Sequence, residues 1–118
     1  MPRHRINHTA WVLAGEPQEA ERETRQAIAL YGPWHRIDLA MVRLHLAAAL
    51  ADQGRPDEAC AAACEALSRF GHPDDRAMLQ SSWLVHAVSE FDQHVERYQG
   101  MRAVQEFREL VRSATVDA

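Results

Sequence analysis

Cys60 and Cys64 have the strongest chemical potential of any pair in the chain. They lie four positions apart, so on a helix both point from one face. Two thiolates make only half of a structural zinc site, which needs four ligands, and His45 or His72 would have to arrive from elsewhere in the fold. A disulfide between the two is disfavoured, because helix geometry does not aim their sulfurs at each other. The simpler reading is a pair of small apolar residues in an alanine-rich packing face, as reduced cysteines behave in the cytoplasm. Among the seven histidines, His4 and His8 have a helical metal spacing without the intervening glutamate of a zinc protease, and His86 and His94 share a helical face. These are expected as surface or half-buried residues with at most a sensitivity to pH. Ser81 and Ser82 have no flanking elbow glycines, and Asp74 and Asp75 follow Pro73 as a helix cap and first-turn pair would. No glycine-rich phosphate loop is present. The sequence therefore predicts no enzyme, no catalytic residue, no metal and no cofactor.

Binding chemistry is better represented. Arg36 and Arg43 are seven residues apart and share a helical face, and Arg5 precedes them. Trp11, Trp34 and Trp83 are of the type enriched at binding hot spots, and are equally at home in a core. Trp11 is expected to pack between paired helices and Trp34 to cap the hairpin below it.

The composition narrows the field further. A chain of 118 residues is one domain's worth, with a modest core. Alanine dominates and β-branched residues are sparse, which points to helices packed closely together, and all 13 basic residues are arginine. The net charge is −4 and no basic block exists, so direct nucleic-acid binding lacks its electrostatic footprint. No stretch approaches the ~20 apolar residues of a membrane span, and no signal-like core follows the N-terminus. The cytoplasm is the expected compartment.

What must position these residues is a repeated unit. Gly15-Glu16-Pro17-Gln18-Glu19-Ala20 recurs as Gly54-Arg55-Pro56-Asp57-Glu58-Ala59, a Gly-x-Pro-x-Glu-Ala pattern spaced by 39 residues. In the same register Ala27-Ile28 matches Ala66-Leu67 and Tyr31-Gly32 matches Phe70-Gly71. Each glycine ends one helix, each proline opens the next, and each glutamate faces the positive end of the helix dipole. Six helices follow. The first spans about 3–14 and the second about 17–31. The third, about 34–53, is apolar over so wide a face that it should be covered on two sides. The fourth spans about 56–70. A long fifth runs from about 74, through Leu84, Val88, Phe91, Val95 and Tyr98, to the interruption at Gly100. The sixth carries Ala103, Phe107, Leu110 and Val111. The tail 113–118 is expected to fray.

Leu46-Ala47-x-x-Leu50-x-x-x-Gly54-x-x-x-Glu58-Ala59, followed by Ala66-Leu67, resembles a tetratricopeptide repeat. The 39-residue period is longer than the family's usual 34, and Asn7-His8 stand where Leu46-Ala47 stand in the second copy, which directs the resemblance to the wider tetratricopeptide-like superfamily. The run Arg36-x-Asp38-Leu39-Ala40-x-x-Arg43-Leu44-x-Leu46-Ala47 and the closing Arg102-Ala103-Val104-Gln105-Glu106-Phe107-Arg108-Glu109 look like the C-terminal sensor part of actinobacterial Xre-type helix-turn-helix transcriptional regulators.

The resemblance implies an all-α, tetratricopeptide-like single domain over 1–118. About three antiparallel hairpins, near 3–31, 34–70 and 74–114, would stack as a right-handed superhelix. It also implies a protein- or peptide-binding module at the sensor end of a regulator, without the DNA-binding domain. First helices of such pairs line the groove, so Arg5, Arg36 and Arg43 would meet an acidic peptide or a terminal carboxylate. The alternative is self-association, since two matching units and an unlike third leave an apolar end open to a second copy.

Overall fold

A computed structural model describes residues 16–32, 34–68 and 82–116. The described residues form five α-helices and one short 3₁₀ turn, with no strand among them. The helices are α1 (Pro17–Leu30), α2 (Arg36–Asp52), α3 (Pro56–Ser68), α4 (Ser82–His94) and α5 (Arg102–Val116). The 3₁₀ turn, Glu96–Tyr98, lies between the last two. The helix expected over 3–14 lies outside the described residues, as do Arg5, Trp11, Gly15, His72 and Pro73-Asp74-Asp75.

The punctuation of the repeat acts as its residue types require. Pro17 and Pro56 stand at the first positions of α1 and α3, where no backbone N–H is needed. Glu19 and the pair Asp57 and Glu58 occupy the first turns, against the positive end of the dipole. Gly54 adopts φ +75°, and it closes α2 with two reverse hydrogen bonds. Its N–H donates to the Ala51 carbonyl, and the Arg55 N–H donates to that of Leu50, each at 3.0 Å. This double closure satisfies carbonyls that the helix end would leave orphaned, and it reverses the chain into α3.

α2 is the central element. It packs against α1, α3 and α4, while α3 packs against α5. The sequence expectation of a helix covered on two sides understates the result. Nine of its residues from Ala40 to Ala51 are buried, six of them the consecutive run Leu46 to Ala51. Small side chains let neighbouring backbones approach closely, so an alanine-rich helix can be covered on several sides at once. The core then continues through Ala59, Cys60, Ala63 and Leu67 of α3 to Leu84, Phe91, Val95, Val104 and Phe107. Phe91 and Phe107 meet edge-to-face at 4.9 Å, tying α4 to α5.

The long fifth helix expected to reach Gly100 is shorter. The α-helix ends at His94, and the chain tightens into i→i+3 bonding, with the Tyr98 N–H donating to Val95 at 2.8 Å. The spacing Phe91, Val95, Tyr98 is compatible with either winding, because residues three apart eclipse in a 3₁₀ turn. Burial of Val95 is kept while the chain swings toward α5. The last helix, α5, extends to Val116.

Candidate functional site

Nine of the seventeen residues of α2 are buried, so the remaining positions are informative. At about 100° per residue, Asp38, Met41, His45 and Asp52 fall on one line, half-buried except for the exposed Asp52. On α4, Trp83, His86, Glu90 and His94 form a second line by the same rule. The two lines border each other. His94 Nδ1 lies 2.8 Å from Asp52 Oδ1, joining the C-terminal ends of the two helices. His45 on α2 feels the charge of Glu90 on α4. His86 Nε2 in turn lies 3.2 Å from Glu90 Oε1. The result is one face carrying three carboxylates, three imidazoles and, at one end, Trp83, which is 71% exposed.

The electrostatics of this face follow from burial. His45 is held below the ordinary histidine range because burial disfavours its charged form, and Glu90 only partly opposes this. It is therefore neutral at pH 7, and the carboxylates give the face negative character. The exposed indole adds a rigid apolar anchor of the type found at binding hot spots.

The residues expected to bind stand elsewhere. Arg36 and Arg43 lie on the edge of α2 that also carries buried Ala40, Ala47 and Leu50, roughly opposite His45. Both are half-buried and both have interactions of their own. Arg5 lies outside the described residues. Trp34 is 76% exposed, with its ring against Gly32 and 5.6 Å from the ring of His35, so it covers the α1–α2 turn only from outside. The sequence names Trp83 only as one of three candidate anchors and does not single out Asp38, Asp52 and Glu90 as binding residues. The signal available was the seven-residue spacing of Asp38, His45 and Asp52 through an otherwise apolar helix.

Two other constellations are structural. Arg55 links the repeat units. Its guanidinium reaches Glu21 of α1 at 3.0 Å and Glu58 of α3 at 2.6 Å, and the Gln53 amide also donates to Glu21 at 2.9 Å. Burial opposes ionisation of Glu21, but the hydrogen bonds of Gln53 and Arg25 and the charges of Arg55 and Arg25 outweigh it and hold the carboxyl low. Cys60 is buried and Cys64 half-buried on α3, both as free thiols. Burial, with the neighbouring Cys64 and Asp57, pushes the Cys60 thiol up to about 11, and burial likewise raises Cys64. Thiols so placed are poor nucleophiles and poor metal ligands at neutral pH. Among the described residues no three His, Cys, Asp or Glu side chains converge as a metal site would require.

A second surface feature is a groove of about 310 Å³ between α4 and α5, lined by Val85, Val88, Ser89, Asp92, Phe107, Arg108 and Val111. No helix of the described residues is long and apolar enough to cross a membrane. Comparison with protein-family models, with curated proteins and with solved structures finds no match.

Proposed function

We propose that this chain is a protein- or peptide-binding helical repeat module of the tetratricopeptide-like kind, serving as the sensor or interaction end of a transcriptional regulator. The observation that carries the reading is the pairing of its helices. α2 packs with α3 through the three-residue turn 53–55, α2 lies beside α4, and α3 lies beside α5. First helix on first helix and second on second is the stacking an array of hairpins requires. Such stacking aligns α2 and α4 into one continuous face, and that face carries Trp83. The regulator part of the reading rests on the sequence resemblance of 36–59 and 102–109.

The chemistry of the face favours a partner segment that brings an apolar side chain to Trp83 and Met41 and a basic one to Asp38, Asp52 or Glu90. Opposite charges would steer its approach and make binding weaken with salt. Photo-crosslinking tests the proposal directly. A benzophenone side chain introduced at Met41 or Trp83 is expected to capture the same polypeptide in the source cell. The same probe at Ala61, exposed on α3, is expected to capture none of it. Equal capture from all three positions, or none from Met41 and Trp83, overturns it.

A further inference from the structure

We infer that the α2–α4 seam is an acid-operated hinge, in which mild acid parts the N-terminal half of α4 from α2 while the His94–Asp52 contact keeps its C-terminal end in place. The two helices run parallel, since His94 at the end of α4 meets Asp52 at the end of α2 and the charge of Glu90 reaches His45. Counting back along both helices from that contact sets His45 level with Ala87, and Met41 level with Trp83. His45 is half-buried and Ala87 is buried, so the register puts a small side chain opposite the imidazole.

The charges along the seam are unequally matched. At the C-terminal end one imidazole meets one carboxylate, with His94 Nδ1 lying 2.8 Å from Asp52 Oδ1. In the middle, among the described residues, Glu90 serves two imidazoles. Its Oε1 lies 3.2 Å from His86 Nε2, and its charge also acts on His45. Asp38 stands about 10 Å further along α2, two turns before His45. The charges on the elements around the two helices are engaged with one another. Where α1 and α3 pack on α2, Arg55 joins Glu21 to Glu58. Where α5 packs on α4, Arg108 holds Asp92 and Glu96. Arg97 of the 3₁₀ turn lies over the Tyr98 ring, and Arg36 and Arg43 are on the opposite side of α2.

Acid therefore acts differently on the two halves of the seam. A proton on His94 turns its contact with Asp52 into a charge-assisted pair, which holds that end. A proton on His86 pairs with Glu90 and offsets the negative charge that favours a proton on His45. Burial already disfavours the charged form of His45 while the seam is closed. Parting the helices gives that imidazole water, where it titrates near about 6.5. The parted form then takes up a proton that the closed form resists, so its population grows as the pH falls below that value. Leu84 and Ala87, buried in the closed seam, are the side chains that parting uncovers.

Amide-resolved hydrogen exchange on the 118-residue chain, corrected for intrinsic exchange at each pH, tests the hinge, with circular dichroism to verify folding. Between about pH 7.5 and about pH 5.5, amides 86–88 are expected to lose protection by about fivefold or more, and amides 91–94 and those of α3 by less than about twofold. His45→Gln is expected to abolish the loss. Asp52→Asn is expected to spread it to amides 91–94. Unchanged protection at 86–88 overturns the inference, as does a loss that survives His45→Gln. A loss shared equally by all helices also overturns it, because the chain then loosens as one unit. If the loss stays confined to 86–88 in Asp52→Asn, His94 and Asp52 are not the pivot and the hinge is overturned. The crosslinking expected from Met41 and Trp83 at neutral pH stands or falls separately.

Discussion

His45 shows how a single side chain sets a pH dependence. Burial lowers its pKa in the native state, with Glu90 pulling weakly the other way. In the unfolded chain it titrates near the ordinary value of about 6.5. As pH falls below that value, the unfolded state takes up a proton that the native state resists, so stability drops. The loss levels off once the native pKa is passed. Urea unfolding at about pH 7.5 and about pH 5.5 should show the wild-type chain weaker at the lower pH, and His45→Gln should remove most of that difference. A slope that survives the substitution would place the proton uptake elsewhere. Glu21 acts in a separate, more acidic window. Its native pKa is depressed, so its contribution is present above about 4.5 and is lost as pH falls through the native value.

At the scale of elements, the turn between α2 and α3 is the most specified feature of the chain. Gly54 is the only described residue with a left-handed backbone, and a Cβ there would meet nothing closer than the Tyr98 hydroxyl at 4.0 Å. Its requirement is conformational rather than steric. Gly54→Ala should therefore destabilise by about 1–2 kcal/mol, the cost of the left-handed region for an L-residue, without moving neighbouring side chains. Thermal unfolding with an unchanged helical spectrum below the transition is the measurement. An unaltered melting temperature would mean that the turn relaxes to another geometry. Arg55 completes the element from outside, since one side chain reaches carboxylates on both α1 and α3.

Across the whole molecule, the core is a relay rather than a single knot. α1 reaches the last hairpin mainly through α2, and α5 reaches α2 mainly through α3 and the phenylalanine pair. Where helices are linked mainly through their neighbours, parts of a fold can open separately. Phe91→Ala removes a fully buried ring and its edge-to-face partner contact, which should cost about 3–5 kcal/mol. That is a large fraction of a small domain's stability of about 5–15 kcal/mol. Hydrogen exchange should show α4 and α5 losing protection more than α1. A uniform loss across all helices would mean that the domain unfolds as one cooperative unit.

The sequence by itself determined the helical class and the ends of the elements around its turns, the starts of α1 and α3 and the end of α2. Gly54, Pro17, Pro56 and the first-turn acids act through local backbone chemistry, and local chemistry can be read from spacing. It also marked α2 as central, because its apolar residues cover too much of the helix for one neighbour. The end of α4 at His94 was not legible, since Phe91, Val95 and Tyr98 suit an α-helix and a 3₁₀ turn equally. Only the tertiary structure decided which polar residues share a surface. Arg36 and Arg43 have the right spacing to form a stripe and lie half-buried on the edge of α2 roughly opposite His45, while Asp38, His45 and Asp52 lie on the side of α2 that meets Glu90 and His94 of α4. Periodicity shows that residues lie on one side of a helix, but which side is covered depends on where the other helices land. The surroundings of the cysteines came the same way: the fold buries Cys60 and packs half-buried Cys64 against the alanine-rich core.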